Sequence, residues 1–544
     1  MERQRTGRPS CDGLYALELR DAIASHLPRR GLPLRSASKN RRWTDRLLFF
    51  TAVVMGWQVA STLQEAFEQA AEVVTKMYPS LRRVGQGYEG FIKALRRQSS
   101  RLLAWVSQAL RESVRSVAGP YWKIGRWVVM GVDGTRTECP RTAANRAAFG
   151  CAGRKKSGPQ QSLTTVLHVG TGLVWDWRRG PGTQAERPHL REMIPDLPQD
   201  TLLLADAGFT GYELLRELID SGRSFVIRAG ANVHLLKKMG YWAREYDGIV
   251  YLWPQAHREQ PPLILRLVAV RDGDRTMSLL TNVLDETLLS DLEAVEMYRR
   301  RWTLEVFYRS FKRTMEKHKQ RSASPHNAEV ELDWSMVSLW MLSLLSAERL
   351  IARGVSPRRW SVAESLRVMR RILCDRKRTR ARGGRRVDRP ARRTAPGDAP
   401  GDGPGDGPGS TRLENASPSG DAPSAPPTPR AASPADVSPP DDVSAADVSP
   451  VADVSVADVS PVAAASADAV SRNPRRPPRR RRPRGRLSDL AWATQDDYRR
   501  RNPKAAHDYP RKKREKPPGD PVVRLATPEE SQTAKALSAK INPD

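Results

Sequence analysis

Two apolar runs of strand length, each closed by an aspartate, constrain the fold of this 544-residue chain more than any other feature. Residues 126–133 read Arg-Trp-Val-Val-Met-Gly-Val-Asp, and residues 201–206 read Thr-Leu-Leu-Leu-Ala-Asp. Runs that are apolar on both faces predict buried, central strands. Ligands of open α/β sheets lie beyond the carboxyl ends of such strands, so Asp133 and Asp206 meet if the two strands are neighbours. Taken alone, either aspartate is more often a turn former.

A third carboxylate, Glu305, lies in a basic segment whose spacing suits one face of a helix. At about 100° per residue, four side chains project within about 60° of one another: Tyr298, Arg301, Glu305 and Lys312. A solvated helix usually pairs Glu with a Lys four residues on. For this segment alone, a basic surface helix with one incidental acid is the simpler interpretation. The two aspartates upstream favour instead a metal ligand beside a phosphate backbone.

Two aspartates and one glutamate can hold two hard cations through oxygen ligands. Mg²⁺ prefers a few carboxylates plus substrate phosphate oxygens to a cage made only of protein ligands. Two such ions, about 4 Å apart, activate an attacking water or hydroxyl and stabilise the leaving oxygen of an in-line displacement. The predicted chemistry is therefore phosphodiester cleavage and transfer with two Mg²⁺ ions, for which Mn²⁺ can substitute.

The three acidic motifs resemble those of the DDE transposases of bacterial insertion sequences, of the IS-four type. One branch of that family is marked by Tyr, two residues, Arg, three residues, Glu, six residues and Lys. This chain matches the spacing without a gap, from Tyr298 to Lys312. Residues 132–135 (Val-Asp-Gly-Thr) and 205–209 (Ala-Asp-Ala-Gly-Phe) are similar to the first and second acidic motifs. The resemblance covers roughly residues 40–375 and a short basic tail.

The resemblance implies an α/β fold: a ribonuclease-H-like mixed-sheet core with a β-rich insertion, an N-terminal helical domain and a disordered basic C-terminal region. It implies cleavage at the ends of an insertion sequence and attack of the freed 3′-hydroxyl on target DNA, often through a hairpin intermediate. The catalytic residues and metal ligands would be Asp133, Asp206 and Glu305. The residues that clamp DNA phosphates would be Tyr298, Arg301 and Lys312. The partners would be double-stranded DNA, as terminal inverted repeats and target, and a second copy in a homodimeric synaptic complex.

Composition is consistent with a nucleic-acid partner. The chain has 91 Lys and Arg against 61 Asp and Glu, a net charge of +30, and neutralising phosphates releases condensed counterions. The four cysteines form no Cys-x-x-Cys pair, which argues against a zinc site or a disulfide framework and fits a reducing bacterial cytoplasm, close to the nucleoid. The longest apolar run, residues 47–57, is far shorter than the roughly 20 residues of a spanning helix, and no signal peptide is recognisable. No membrane partner is expected.

Composition shifts predict seven segments along the chain. Repeats of Pro-Gly-Asp and Asp-Val-Ser predict disorder after the folded core. The predicted segments are a mobile basic arm (1–40), a helical DNA-binding domain (41–120), the first part of the catalytic core (121–228), a β-rich insertion (229–288), the end of the core with the Glu305 helix (289–375), a low-complexity linker (376–486) and a basic tail (487–544). The family joins the tail directly to the core, so the linker leaves the docking of the tail open.

Periodicity predicts the elements that carry these segments. Residues 127–228 predict three strands, a helix, a strand, a helix and a strand, with the first hairpin at 161–178. Residues 263–271 and 277–283 of the insertion predict a second hairpin, which turns at Asp272-Gly273. Helices are predicted over 47–57, 59–77, 88–117, 289–317 and 332–350, and a DNA-facing loop over 141–158. The resemblance implies that the insertion contacts DNA near the cleavage site. Trp242 and Trp253 could stack on an unpaired base there, but an aromatic residue in a strand is more often core, so both stay outside the predicted site.

Three alternatives remain open. Asp133-Gly-Thr also suggests a haloacid-dehalogenase-type phosphatase, but the nucleophile would fall at Gly131, which cannot attack phosphorus. A nuclease of the same fold would share the acids without joining DNA. A non-catalytic DNA-binding protein derived from a transposase would bind DNA without cutting it.

Overall fold

The computed structural model describes residues 11–27, 43–80, 85, 87–153, 158–272, 275–373, 486–496, 499 and 519–541. The described residues all belong to one compact unit, which comprises residues 1–375 and 446–544. The predicted linker lies outside the described residues, apart from Arg486. Within the described ranges, every helix is too short or too polar to cross a bilayer.

A ten-stranded mixed sheet forms the centre of the unit. Its strands are β1 (Val128–Glu138), β2 (Gln160–His168), β3 (Leu173–Pro181), β4 (Thr201–Ala205), β5 (Ser224–Arg228), β6 (His234–Lys237), β7 (Ile249–Leu252), β8 (Leu263–Asp272), β9 (Arg275–Thr281) and β10 (Val522–Leu525). They are ordered β10-β6-β7-β8-β9-β5-β4-β1-β2-β3. The sheet is antiparallel from β1 to β3, whereas β1, β4 and β5 run parallel.

The helices confirm most of the predicted pattern. In chain order they are α1 (Cys11–Ala24), α2 (Asp45–Met55), α3 (Leu63–Met77), α4 (Tyr88–Ala118), α5 (Ala143–Phe149), α6 (Glu186–Met193), α7 (Tyr212–Asp220), α8 (Asp291–Arg299), α9 (Trp302–Arg309), α10 (Pro325–Ile351), α11 (Val362–Leu373) and α12 (Pro528–Ile541). The three helices predicted in the N-terminal domain correspond to α2, α3 and α4. The predicted order of three strands, helix, strand, helix and strand is found in β1 to β5, with α5 as an additional helix between β1 and β2.

The long helix α10 connects the N-terminal helices to the sheet. Its N-terminus is well defined because the side chain of Ser324 accepts a hydrogen bond from the amide of Asn327. Pro325 is tolerated in the first turn because an amide there would have no partner within the helix. Most of its length is buried, and it contacts α2, α4, α11 and β3. The indole Nε1 of Trp57, just beyond α2, donates to the carbonyl of Ser338 on α10 at 2.9 Å. The N-terminal helices and the sheet therefore share one apolar interior.

Two segments that were predicted to be irregular contain helices. Residues 11–24 of the predicted mobile arm form α1, in which Leu19 and Ile23 are completely buried. Apolar residues three to four positions apart form this face, a pattern that the basic residues and the scattered Pro and Gly of the segment obscure. The predicted loop 141–158 contains α5, which Thr142 caps and which buries Phe149. In both segments, burial of a few apolar side chains outweighs the turn-forming composition around them.

The prediction of one continuous helix over residues 289–317 is wrong. The amides of Arg300 and Arg301 each bond three residues back, so the chain tightens between α8 and α9. After α9 it widens into a π-helical turn, Ser310–Thr314. Leu304, completely buried, packs against Gly131 of β1, where a Cβ would lie 2.8 Å from its Cδ1. Because packing of this kind, rather than Pro or Gly, accompanies the break, the 3.6-residue period could not reveal it.

The insertion and the tail extend the core sheet. The hairpin predicted within the insertion is confirmed as β8–β9. Because β9 pairs with β5, the insertion continues the core sheet without a gap. The tail docks at two places. A short 3-10 helix, Leu487–Trp492, buries Leu487 and Leu490 against α10 and α11, and β10 pairs in parallel with β6.

Candidate active site

The sheet places Asp133 and Asp206 at the same level. β1 and β4 pair in parallel from Val128 opposite Thr201 to Gly131 opposite Leu204. If this pairing is extended by two residues along both strands, Asp133 lies opposite Asp206. Adjacent strands are about 4.8 Å apart, so the two carboxylates begin from neighbouring positions at the end of β4. The prediction that the two apolar runs are neighbouring strands is confirmed.

Local hydrogen bonds fix the two aspartates. The carboxylate of Asp133 accepts from the amide of Gly134 at 2.8 Å. The carboxylate of Asp206 accepts from the amide of Gly208 at 2.9 Å and caps the short turn that follows β4. Asp206 is thus a turn former as well as a site candidate, since its second oxygen stays available for another partner.

Arg301 links Glu305 to Asp133. Its guanidinium donates to Asp133 Oδ2 at 3.2 Å and to Glu305 Oε1 at 3.3 Å. The guanidinium carbon also lies 5.7 Å from the centre of the Tyr298 ring, which is buried. The remaining signature residue, Lys312, is half-buried on the π-helical turn. The structure therefore brings Asp133, Arg301 and Glu305 into direct contact, with Tyr298 beside them.

The acids outnumber the cation that joins them. Burial raises the pKa of Asp133 to about 6; Arg301 opposes the shift, and Asp206 adds to it. Burial also raises the pKa of Glu305 to about 7, against the opposing effect of Arg301. Burial lowers the pKa of Arg301, but the surrounding Tyr298, Asp133, Asp206 and Glu305 outweigh this effect and raise it. One guanidinium does not neutralise the site, so a further cation would be attracted to it.

Sequence reasoning missed a fourth acid, Glu186, the first residue of α6. Burial, together with the charges of Asp133 and Asp206, raises its pKa to about 7. Its carboxylate lies against Gly134, where a Cβ would overlap it. In the sequence, an acid at the start of a predicted helix indicates only a favourable interaction with the helix dipole. No local pattern distinguished this glutamate from others in the chain.

A second missed residue is Tyr308, whose hydroxyl donates to the backbone carbonyl of Asp133 at 2.6 Å. Burial raises its pKa well above the usual range, so it stays a neutral donor. This bond holds α9, and with it Glu305, against β1. A tyrosine inside an apolar helical stretch reads simply as core, which explains why the sequence gave no indication of this contact.

The donor set suits a divalent cation, but the side chains do not converge on one point. Carboxylate oxygens are the ligands that Mg²⁺ and Mn²⁺ prefer. Across the described residues, however, no three Asp, Glu, His or Cys side chains are grouped closely enough to hold an ion. Arg301 supplies the positive charge between Asp133 and Glu305, and it would have to move for both to bind one ion.

The raised pKa of Glu305 predicts a pH-dependent effect of Glu305→Gln. The folded state binds this proton more tightly than the unfolded chain, so the stabilisation is complete below about pH 4.5 and is lost as pH rises through about 7. Without metal, we expect Glu305→Gln to be more favourable relative to wild type at pH 8 than at pH 5, as measured by urea unfolding. Glu296→Gln, at an exposed position on α8, is the control. Equal differences at both pH values would refute the electrostatic account.

Part of the chain is similar in sequence to known transposases. Residues 128–341 match the family model described as Transposase DDE domain. Transposase InsG for insertion sequence element IS4, from Escherichia coli (strain K12), is 28% identical over 264 residues, which are 45% of this chain and 58% of that protein. The match thus spans less than two thirds of that relative.

A solved structure of the piggyBac transposase synaptic complex with hairpin DNA aligns with 69% of this chain and 80% of its own, at 11% identity. Its TM-score of 0.35 is too low to support an argument about the fold. The family match rests on the sequence, and it contains all three predicted acids. Residues 128–341 are thus similar to a transposase DDE domain, the domain of a catalytic family, and part of the chain is similar to an insertion-sequence transposase of Escherichia coli.

Proposed function

We propose that the chain is a DNA transposase that cleaves DNA at the ends of an insertion sequence in the presence of Mg²⁺ and transfers the freed 3′-hydroxyl to target DNA. The observation that supports this proposal is that Asp133, within β1, and Asp206, directly after β4, lie on adjacent parallel strands, while Arg301 joins Asp133 to Glu305. The transposase DDE domain contains all of these residues.

We further propose that the core is ribonuclease-H-like. Its strand order, β3-β2-β1-β4-β5, supports this assignment, together with antiparallel pairing of the first three strands and parallel pairing of β1, β4 and β5. In such an arrangement the carboxyl ends of the two central parallel strands form the reactive edge. The insertion continues the sheet beyond β5.

Asp133, Asp206 and Glu305 would hold two Mg²⁺ ions, with Mn²⁺ as a substitute. Bound there, the ions would activate the attacking hydroxyl and stabilise the leaving oxygen. The chain's own contribution is orientation. The amides of Gly134 and Gly208 fix the two aspartates, and Tyr308 holds the helix of Glu305 against β1.

Arg301 would act in two successive states. Without a bound cation it pairs with Asp133 and Glu305. When the charge of those carboxylates is neutralised, its planar guanidinium would be available to bind two oxygens of a DNA phosphate. Tyr298 would support the guanidinium through its ring face, and Lys312 would contact a neighbouring phosphate.

This account predicts opposite effects of Arg301→Ala on metal binding and on cleavage. Removing the competing cation should leave the affinity for Mn²⁺ unchanged or higher in the absence of DNA. Removing a phosphate donor should slow cleavage by about 100-fold. Calorimetric titration with Mn²⁺ and a gel-based cleavage assay measure the two effects. Loss of Mn²⁺ affinity in Arg301→Ala would contradict the proposed roles.

The partners would be double-stranded DNA, both as terminal inverted repeats and as target, and a second copy of the chain in a synaptic dimer. The high net positive charge supports a DNA partner. The decisive experiment supplies the purified chain with Mg²⁺, the DNA flanking its own gene and a target plasmid. Joined products support a transposase. Cleavage without joining would indicate a nuclease, and binding without cleavage a non-catalytic derivative.

A further inference from the structure

We propose that the N-terminal half of α4 binds the sugar-phosphate backbone of duplex DNA through one exposed surface. This surface, the α4 face, consists of Lys93, Arg96, Arg97 and Ser100. The inference rests on the proposed function, which supplies DNA as the partner. It assigns DNA contact to one helix of the predicted helical segment 41–120 and adds no residue to the cation site.

The α4 face is the outer side of a helix whose inner side is held in the apolar interior. α4 buries Phe91 and Leu95, and Ser99 Oγ accepts from the indole Nε1 of Trp334 on α10 at 2.9 Å. At about 100° per residue, the four exposed side chains project within about 100° of one another. They cover about 10 Å of the helix axis, a length over which one DNA strand carries roughly three phosphates.

The three cations of the α4 face have no ionic partner among the residues that the structure describes. Arg101, on the next turn of the helix, instead pairs with Asp45. Glu89 lies four residues before Lys93 but forms no ion pair with it. Lys93 and Arg97 are themselves four residues apart, a spacing at which like charges destabilise a helix. A row of phosphates would remove this repulsion.

The surfaces of the preceding helices suit a polyanion poorly. The exposed positions of α3 include Glu68 and Glu72, and Lys76 beside them pairs with Glu72 at 3.0 Å. The exposed positions of α1 include Glu18 and Asp21. α2 is buried along most of its length. Among the described residues of α1 to α4, only α4 therefore combines several unpaired cations on one exposed face.

The chemistry of the α4 face predicts contact with phosphates and not with bases. Lysine, arginine and serine side chains all donate to phosphate oxygens, and such contacts position DNA without reading its sequence. The neutralised phosphates also release condensed counterions, so the affinity depends on salt. The α4 face should therefore contribute equally to the binding of DNA from the flanks of the gene and of an unrelated duplex.

Band-shift titrations of the full chain over a range of salt concentrations, with EDTA to prevent cleavage, test the inference. The variant Lys93→Gln/Arg96→Gln/Arg97→Gln should bind both duplexes at least about tenfold more weakly, and the slope of log K against log salt should fall by about one per cation removed. The matched control, Lys76→Gln on α3, removes a paired cation and should leave both quantities unchanged. Arg96→Lys/Arg97→Lys should keep the wild-type slope, because it keeps the charge.

Wild-type affinity and slope in the glutamine variant overturn the inference. A loss of affinity in the lysine variant as large as that in the glutamine variant also overturns it, because the arginines then act through packing and not through charge. If the glutamine variant binds DNA normally while Glu305→Ala binds but does not cleave, the inference fails and the proposed function stands. If the α4 face binds DNA but the wild-type chain cleaves none with Mg²⁺, the proposed function fails and the inference stands. If the wild-type chain binds no DNA, both fail.

Discussion

Glu305→Ala is expected to reduce Mg²⁺-dependent DNA cleavage by at least about 10³-fold while DNA affinity changes by less than about threefold. The variant removes one ligand of the cation site and one of the two carboxylates that Arg301 joins. DNA affinity should persist because it depends mainly on basic side chains distributed over the chain. A gel assay with end-labelled DNA from the flanks of the gene measures cleavage, and band-shift titration at fixed salt measures binding.

Glu296→Ala provides the matched control, because Glu296 is exposed on α8 and, among the residues that the structure describes, pairs only with Arg300. It should cleave at the wild-type rate. Asp206→Asn should behave like Glu305→Ala, since it keeps the shape of the side chain and the turn but lacks the charge. Cleavage by Glu305→Ala at the wild-type rate would exclude Glu305 from the site.

Trp57→Ala is expected to destabilise the whole unit by about 3–5 kcal/mol. The side chain is completely buried, and its Nε1 donates to the carbonyl of Ser338 on α10. Its removal leaves a cavity between the N-terminal helices and α10 and deprives a buried carbonyl of its donor. Urea unfolding followed by circular dichroism should give a single transition at lower urea, because the helical domain and the core share one interior.

Val59→Ala is the control for that prediction, since Val59 is 62% exposed two residues further along the chain. Its effect should stay within about 0.5 kcal/mol. Trp57→Phe keeps most of the volume and removes the donor, so it should cost less than Trp57→Ala. If the N-terminal helices unfolded separately in Trp57→Ala and left the core transition unchanged, the shared interior would be disproved.

The sequence predicted the edge of the sheet well, for a physical reason. An apolar run such as residues 201–206 is stable only when it is buried, and two buried runs of this kind form central strands of a sheet. When the two strands are parallel neighbours, the aspartates that follow the apolar runs lie side by side. The β2–β3 and β8–β9 hairpins were equally predictable, because alternation and turn residues act over short distances.

Contacts between distant segments were not predictable in the same way. The Arg301–Asp133 pair joins residues on α9 and β1, and no local pattern specifies it. Glu186 lies against Gly134 of β1 only because of how α6 packs on the sheet, which no local pattern specifies. The tight turn between α8 and α9 likewise reflects packing of Leu304 on β1 rather than any helix-breaking residue.

The central claim is that Asp133 on β1, Asp206 after β4 and Glu305 on α9 share divalent cations. Anomalous diffraction from crystals of the chain with terminal-repeat DNA and Mn²⁺ tests it most directly. The account predicts manganese peaks within bonding distance of all three carboxylates, with Arg301 displaced from Asp133 towards a DNA phosphate. Manganese bound elsewhere, or Arg301 still bridging Asp133 and Glu305 while DNA lies in the site, would contradict it.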